Sequence, residues 1–363
     1  MTERDHHVDL ARVIATVFVV ILHVLGQGGI LNAAVPHTAS YWTAWYLETG
    51  AYCAVNCFAL ITGYVMVYKT TKLKNMLNLW FQIFFYSAAI SLVFFIFSPE
   101  TRTLRNLMIA CLPIVGKQWW YTSSYFILLF FIPFLNTTIR HLSRHSFRKL
   151  LLVILCGICL LDCMVPLDGF VINGGYSPLW LACMYLFGAY IRKYDIKEKI
   201  TAPKCLLGFF TVVTFSVILK AILKSIGGRF ANFENVFISY ISITITLAAV
   251  FLFLFCQKVK IGPVLQKVIA FFAPTTLSVY LIHVHPLIFR GVMKKAFESF
   301  AQMPVILMVA CVFGMVSVIF VICALVDHLR IGLFRLLRIA KLSESLSDKL
   351  NAVYSKRFPD ETA

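Results

Sequence analysis

The segment VDLARVIATVFVVILH, residues 8–23, is apolar apart from three ionisable side chains, Asp9, Arg12 and His23. A charged group at the centre of a membrane-spanning helix costs about 2.5–3.5 kcal/mol on insertion scales, so each of the three is a functional candidate. Asp9 and Arg12 stand three residues apart, close enough to pair on one helix. Arg12 and His23 are separated by about three full turns plus roughly 20°, so they share a helix face about 16 Å apart along the axis. An imidazole with an ordinary pKa near 6.5 takes and returns a proton at neutral pH, which suits a general base that activates a hydroxyl. The bland readings are a hydrogen-bonded packing histidine and a snorkelling arginine anchor. The shared face favours the functional one.

Other polar groups gather near the same end of the chain's apolar stretches as His23. Glu48 and Asn56 lie on the second stretch, and Gln118, Trp119, Trp120 and Tyr121 lie at the start of the fourth. His283 and His285 lie late in the ninth. Being two residues apart they point to different faces, so they do not share a metal ion, and at most one faces the same cavity as His23. Glu48, Tyr121 and His283 join His23 and Arg12 as candidate catalytic residues. Lys72 and Lys74 join Arg12 as candidates for holding an anionic group. Cys156, Cys159 and Cys163 fall on one ideal helix face. With no histidine beside them they read as small packing residues rather than a metal site.

These residues need helices in hydrocarbon to position them. The chain has 363 residues, 60% hydrophobic and 13% charged, with a mean hydropathy of +0.84. Such a composition excludes a soluble domain, a disordered chain and a disulfide scaffold. Ten apolar stretches are long enough to cross a bilayer, at about 8–25, 43–68, 76–97, 119–138, 149–166, 178–191, 203–223, 236–256, 268–289 and 303–327. The second is long and the sixth short, which predicts tilt or a broken helix there. The expected fold is therefore an all-α polytopic transmembrane helical bundle of about ten spans.

The net charge is +17. With the N-terminus inside, the inner segments hold 24 of the 33 Lys and Arg and the outer loops hold 9. That distribution follows the positive-inside rule, which places both termini in the cytoplasm and loops 26–42 and 166–177 outside. The surplus charge faces anionic lipid rather than nucleic acid. The chain divides into a membrane domain, 1–327, and a basic cytoplasmic tail, 328–363. Within that tail, RIGLFRLLRIAK (330–341) has the spacing of an interfacial helix.

Four segments resemble, in order, those of the acyltransferase-3 family of integral membrane O-acyltransferases, most closely its polysaccharide O-acetyltransferase branch. They are residues 8–23, CFALITGYVM at 57–66, QWWYTSSYFILLFFIPFLN at 118–136 and LSVYLIHVHPLIF at 277–289. The resemblance runs from residue 4 to about 327. It implies transfer of an acyl group, usually acetyl from cytoplasmic acetyl-CoA, to a hydroxyl of a surface glycan or lipid-linked saccharide. It also implies a cell-membrane location, in bacteria the cytoplasmic membrane, with Arg12 and His23 as the family's functional pair. Two positions depart from the family pattern. Lys69, Lys72 and Lys74 stand where many members carry arginines, so the bidentate fork is lost but the charge is kept. Thr62 stands where serine is usual. The rival reading is a transporter or flippase for a lipid-linked sugar. Many transporters carry repeated halves, and none shows in this sequence. The acceptor, the acyl group, and the choice between base catalysis and a covalent acyl-histidine stay open at this level.

Overall fold

A computed structural model describes residues 4–164 and 172–357, so the first half of the expected outer loop 166–177 lies outside the described residues. The described residues form helices and turns, with no strand among them. In hydrocarbon each backbone N–H and C=O must be satisfied within its own segment, and a helix does this.

Helix α1 spans His6–Leu25 and is capped by Asp5, whose carboxylate accepts from the His7 and Val8 amides. The long second stretch breaks at Tyr52–Cys53 into α2 (Ala39–Ala51) and α3 (Ala54–Met66). Next come α4 (Leu73–Phe97), α5 (Trp120–His141) and α6 (Arg144–Val153), the last continued by a π-helical stretch, Ile154–Leu160. Then follow α7 (Pro178–Lys193), α8 (Ala202–Ile226) and α9 (Ile243–Cys256). The ninth stretch is divided by a 3-10 turn at Ala273–Thr275 into α10 (Pro263–Phe272) and α11 (Thr276–His283). The last two helices are α12 (Val305–Leu336) and α13 (Ile339–Arg357).

Seven helical segments among the described residues are long and apolar enough to cross a membrane: α1, α2 with α3, α4, α5, α8, α10 with α11, and α12. The other three of the ten stretches are helical but interrupted or short. Residues 144–164 contain the π-helical stretch, α7 has 16 residues and α9 has 14. The π-helical stretch also turns the cysteines off their expected common face: Cys156 is exposed while Cys159 and Cys163 are buried. An i→i+5 ladder advances differently from the 3.6-residue turn on which that face was drawn.

Helix α1 joins two apolar cores. Its first half, through Ala15, packs with residues of α3 and α9, and its second half, Val20–Leu25, packs with residues of α2 and α12. Hydrogen bonds define two ends of the bundle. At the end where α1 begins, His7 Nδ1 lies 3.2 Å from the Cys256 carbonyl. There too Asn136 Nδ2 donates to the Met66 carbonyl (2.8 Å) and Lys193 Nζ to that of Ile139 (2.6 Å). At the end where α1 finishes, Gln27 donates to the Phe289 carbonyl (2.9 Å) and the Phe297 amide to that of Gly28 (2.9 Å). Asn56 Nδ2 donates to the Tyr240 carbonyl (2.7 Å), and Asn56 Oδ1 accepts from Trp180 Nε1 (2.9 Å).

The tail departs from a single interfacial helix over 330–341. Helix α12 carries on through Leu336, because buried Asp327 accepts from Arg330 one turn later (2.7 and 3.0 Å) and from the Tyr86 hydroxyl (2.6 Å). The chain turns at Arg338, where φ is +53°, and α13 folds back along the start of α4. Ser343 Oγ donates to Asn78 Oδ1 (2.8 Å), and Lys74 Nζ pairs with Glu344 (2.8 Å). That hydrogen bond holds the exposed Glu344 carboxyl below its ordinary pKa.

The tightest contact is between α3 and α7. A Cβ on Gly63 would lie 1.9 Å from the Tyr185 carbonyl oxygen, and one on Gly188 would lie 1.8 Å from that of Leu60. Small residues let membrane helices meet backbone to backbone. The Gly63 of the Thr-Gly-Tyr segment is therefore a packing residue. Gly63→Ala and Gly188→Ala should each force the helices apart and destabilise the protein by about 1–3 kcal/mol. A clear drop in the melting temperature of the detergent-solubilised protein is the expected result.

Candidate functional site

One side of α1 borders a cavity of about 270 Å³ inside the bundle, and both Arg12 and His23 line it. The helix geometry that put them on one face thus also puts them on one space. Tyr121, Trp120, Tyr125, Tyr240 and Tyr280 form much of the rest of its wall, with Thr62 of α3 among the lining residues. Three sequence candidates therefore meet here: Arg12, His23 and Tyr121.

His23 is held from behind. Its Nδ1 lies 2.9 Å from Nε2 of His283, and the Phe289 ring stands edge-on to it at 5.0 Å. His283 is buried, and its own Nδ1 lies 2.5 Å from the Val279 carbonyl one turn earlier in α11. A carbonyl oxygen only accepts, so His283 Nδ1 carries the hydrogen. With both rings neutral, the hydrogen-bond pattern assigns the remaining tautomers. His283 Nε2 accepts, His23 Nδ1 donates, and His23 Nε2 keeps a lone pair. This is the arrangement of a base oriented by a second group.

His285 belongs elsewhere, as the two-residue spacing requires. It is buried against Trp119, with its Nε2 2.6 Å from Gln118 Nε2. Gln118 Oε1 in turn accepts from Ser87, fixing the approach to α5.

Arg12 sits on a boundary. It lines the cavity shared with His23 and also a second, more polar one of about 650 Å³ at the end where α1 begins. Its guanidinium pairs with Asp9 (3.1 Å), which Arg4 also meets (2.5 Å). Arg4, Lys69 and Arg192 line this second cavity with Arg12, so four cations share it with the carboxylates of Asp5 and Asp9. Arg192 is oriented by Tyr64, whose hydroxyl accepts from Nη1 (3.2 Å) and whose ring lies under the guanidinium.

The structure does not bring Lys72 or Lys74 to Arg12. Neither lines either cavity, and Lys74 is engaged with Glu344 of α13. The arrangement places Lys69 and Arg192 there instead. In the sequence Arg192 is only one of the 24 inner-segment cations, and its contact with Tyr64 singles it out. Glu48 is buried on α2, its Oε2 without a hydrogen-bond partner among the described residues, close to Tyr52 and Tyr240 rather than to His23.

The site thus joins a cationic mouth, an aromatic-walled cavity and an oriented imidazole along one helix. That geometry suits transfer between a phosphate-bearing donor and a hydroxyl. No curated protein and no solved structure matches the chain. A family model described as an acyltransferase domain matches residues 5–324, which takes in α1 through most of α12 and every residue of the two cavities except Arg4. The chain belongs to the acyltransferase-3 family and is a membrane acyltransferase.

Proposed function

We propose that the protein moves an acetyl group from acetyl-CoA on the cytoplasmic side to a hydroxyl of a surface glycan or its lipid-linked precursor, in a bacterial cytoplasmic membrane. The observation that carries this reading is that Arg12 borders both cavities while His23 borders the inner one. A coenzyme whose phosphates rest among Arg4, Arg12, Lys69 and Arg192 can extend its pantetheine arm along α1. The separation of Arg12 and His23, about 16 Å over three turns, matches that reach. The excess of Lys and Arg on the inner segments supports placing the cationic mouth toward the cytoplasm.

In this reading His23 Nε2 accepts the acceptor hydroxyl's proton as its oxygen attacks the thioester carbonyl. The carbon–sulfur bond breaks, the new ester forms, and the imidazolium returns the proton to the departing thiolate. Atoms and charge balance without a further reactant. His283 keeps the lone pair on Nε2 by accepting the Nδ1 hydrogen, so it acts as a positioning residue. A covalent acetyl-His23 intermediate uses the same nitrogen as a nucleophile. Acetyl captured on His23 in the absence of acceptor selects that route.

His23→Ala should lower transfer by about 10²–10⁴-fold while acetyl-CoA still binds. Radiolabelled acetyl transfer and equilibrium binding on the purified protein check this, and near-normal transfer would overturn the role. His283→Leu removes the acceptor for His23 Nδ1 and should lower kcat more than tenfold with donor KM unchanged. His283→Gln, whose side-chain oxygen accepts the same hydrogen, should recover part of that loss. Equal loss in both variants would leave His283 a packing residue. Arg192→Ala should weaken acetyl-CoA binding about tenfold and Lys72→Ala should leave it unchanged, since Arg192 shares a cavity with Arg12 and Lys72 does not. Titration of coenzyme A separates the two.

A further inference from the structure

Apart from Arg12 the cavity wall is uncharged, and beside its aliphatic residues it carries a cluster of aromatic rings. A continuous series of ring contacts leads away from the base. His283 meets Tyr280 (6.5 Å between centroids), Tyr280 meets Tyr121 edge-on (6.2 Å), and Tyr121 meets Trp120 (5.7 Å). Trp120 then meets Tyr240 (6.0 Å). Tyr121, Trp120, Tyr240 and Tyr280 all line the cavity. Tyr125, also in the wall, is stacked on Tyr121 at 5.9 Å and 15°.

This wall is rigid because a second layer backs it. Tyr176 packs on both Trp120 (4.5 Å) and Tyr240 (5.0 Å), and Tyr52 packs on Tyr240 (4.7 Å). The Tyr52, Tyr176 and Tyr240 hydroxyls interact with one another, and the Glu48 carboxyl lies near Tyr52 and Tyr240. Tyr240 is fixed at its carbonyl by Asn56. The ring faces are therefore set before any ligand arrives, and little side-chain freedom is lost on binding.

The chemistry of this wall selects its ligand. Among the described residues, the only Lys or Arg lining the cavity is Arg12, about three turns of α1 away from His23, and no carboxylate lines it. A phosphate or a charged sugar thus has no partner near the base. An aliphatic chain needs no ring hydroxyls. A neutral pyranose ring has one apolar C–H face, which suits the negative face of an aromatic ring, and an edge of hydroxyls. We infer that Trp120, with Tyr121 and Tyr240 beside it, is the platform on which an uncharged hexose ring of the acceptor rests while its hydroxyl faces His23. This rests on the acyl-transfer reading and names the acceptor's chemical class and the residues that recognise it.

The test uses the full-length protein in detergent, radiolabelled acetyl-CoA, a panel of neutral p-nitrophenyl hexopyranosides and a p-nitrophenyl-tagged aliphatic alcohol. Wild type should acetylate at least one hexoside more efficiently than the alcohol. Trp120→Ala should raise the KM for that hexoside at least tenfold, with acetyl-CoA affinity and melting temperature unchanged. Trp120→Phe, which keeps an aromatic face, should recover most of the loss. An unchanged hexoside KM in Trp120→Ala overturns the platform, as does a preference for the alcohol or a matching loss of acetyl-CoA affinity. Should Trp120→Ala fail to fold, Tyr240→Leu with Tyr240→Phe as its control repeats the comparison at the other edge of the wall. Failure of the acyl-transfer reading looks different. There, His23→Ala would retain transfer or wild type would bind no acetyl-CoA, whatever Trp120 does.

Discussion

A polar group without a partner in hydrocarbon costs several kcal/mol, and the helix register of this protein follows from avoiding that cost. Apolar surfaces alone do not fix how lipid-immersed helices sit against each other, because lipid is as apolar as leucine. Side-chain hydrogen bonds that find partners in one arrangement can. Asn136 ties α5 to the end of α3 through the Met66 carbonyl and accepts from the Tyr185 hydroxyl of α7 (2.6 Å). Asn56 ties α3 to Trp180 and to the Tyr240 carbonyl. Asp327 ties α12 to α4 through Tyr86. The His23–His283 contact belongs to this set, and it places α11 against the end of α1.

Close backbone approach acts with these pins. Gly63 and Gly188 bring α3 and α7 together, and Asn136 and Tyr185 hydrogen-bond across the same region. Tyr64, next to Gly63, then carries Arg192 of α7 into the second cavity. One helix contact thus supplies both the packing of the core and the orientation of a cation. The same economy appears at α1, whose Asp9–Arg12 pair keeps a guanidinium at the boundary between two cavities.

A second buried cluster shows how a charge is tolerated without a role in the site. Lys220 of α8 is fully buried, yet its ammonium meets Glu234 (2.8 Å), Asn235 (2.7 Å) and the face of Trp45 (3.5 Å). Its donors are accounted for, and it lines neither cavity. His23 differs in having one ring nitrogen held while the residue lines a cavity.

The sequence by itself determined the all-helical membrane character, since 60% apolar residues in long stretches leave no other way to satisfy the backbone. It also placed Arg12 and His23 on one face, because both lie on a single unbroken helix whose period is known. The separation of His283 from His285 was legible for the same local reason. Tertiary structure alone decided the rest, since it depends on contacts between residues far apart in the chain. His23 and His283 are 260 positions apart, and nothing in either segment says that their rings meet. Lys74 was matched with Arg12 by charge and chain order, but α13 folds back and engages it, while Arg192 arrives on α7. The cysteine face was lost to a local π-helical stretch, and the tail helix was divided at Arg338 after an Asp327–Arg330 pair that only burial strengthens. Helix periodicity is a local property of the backbone. Which helix ends meet is set by the partners that polar side chains find after packing.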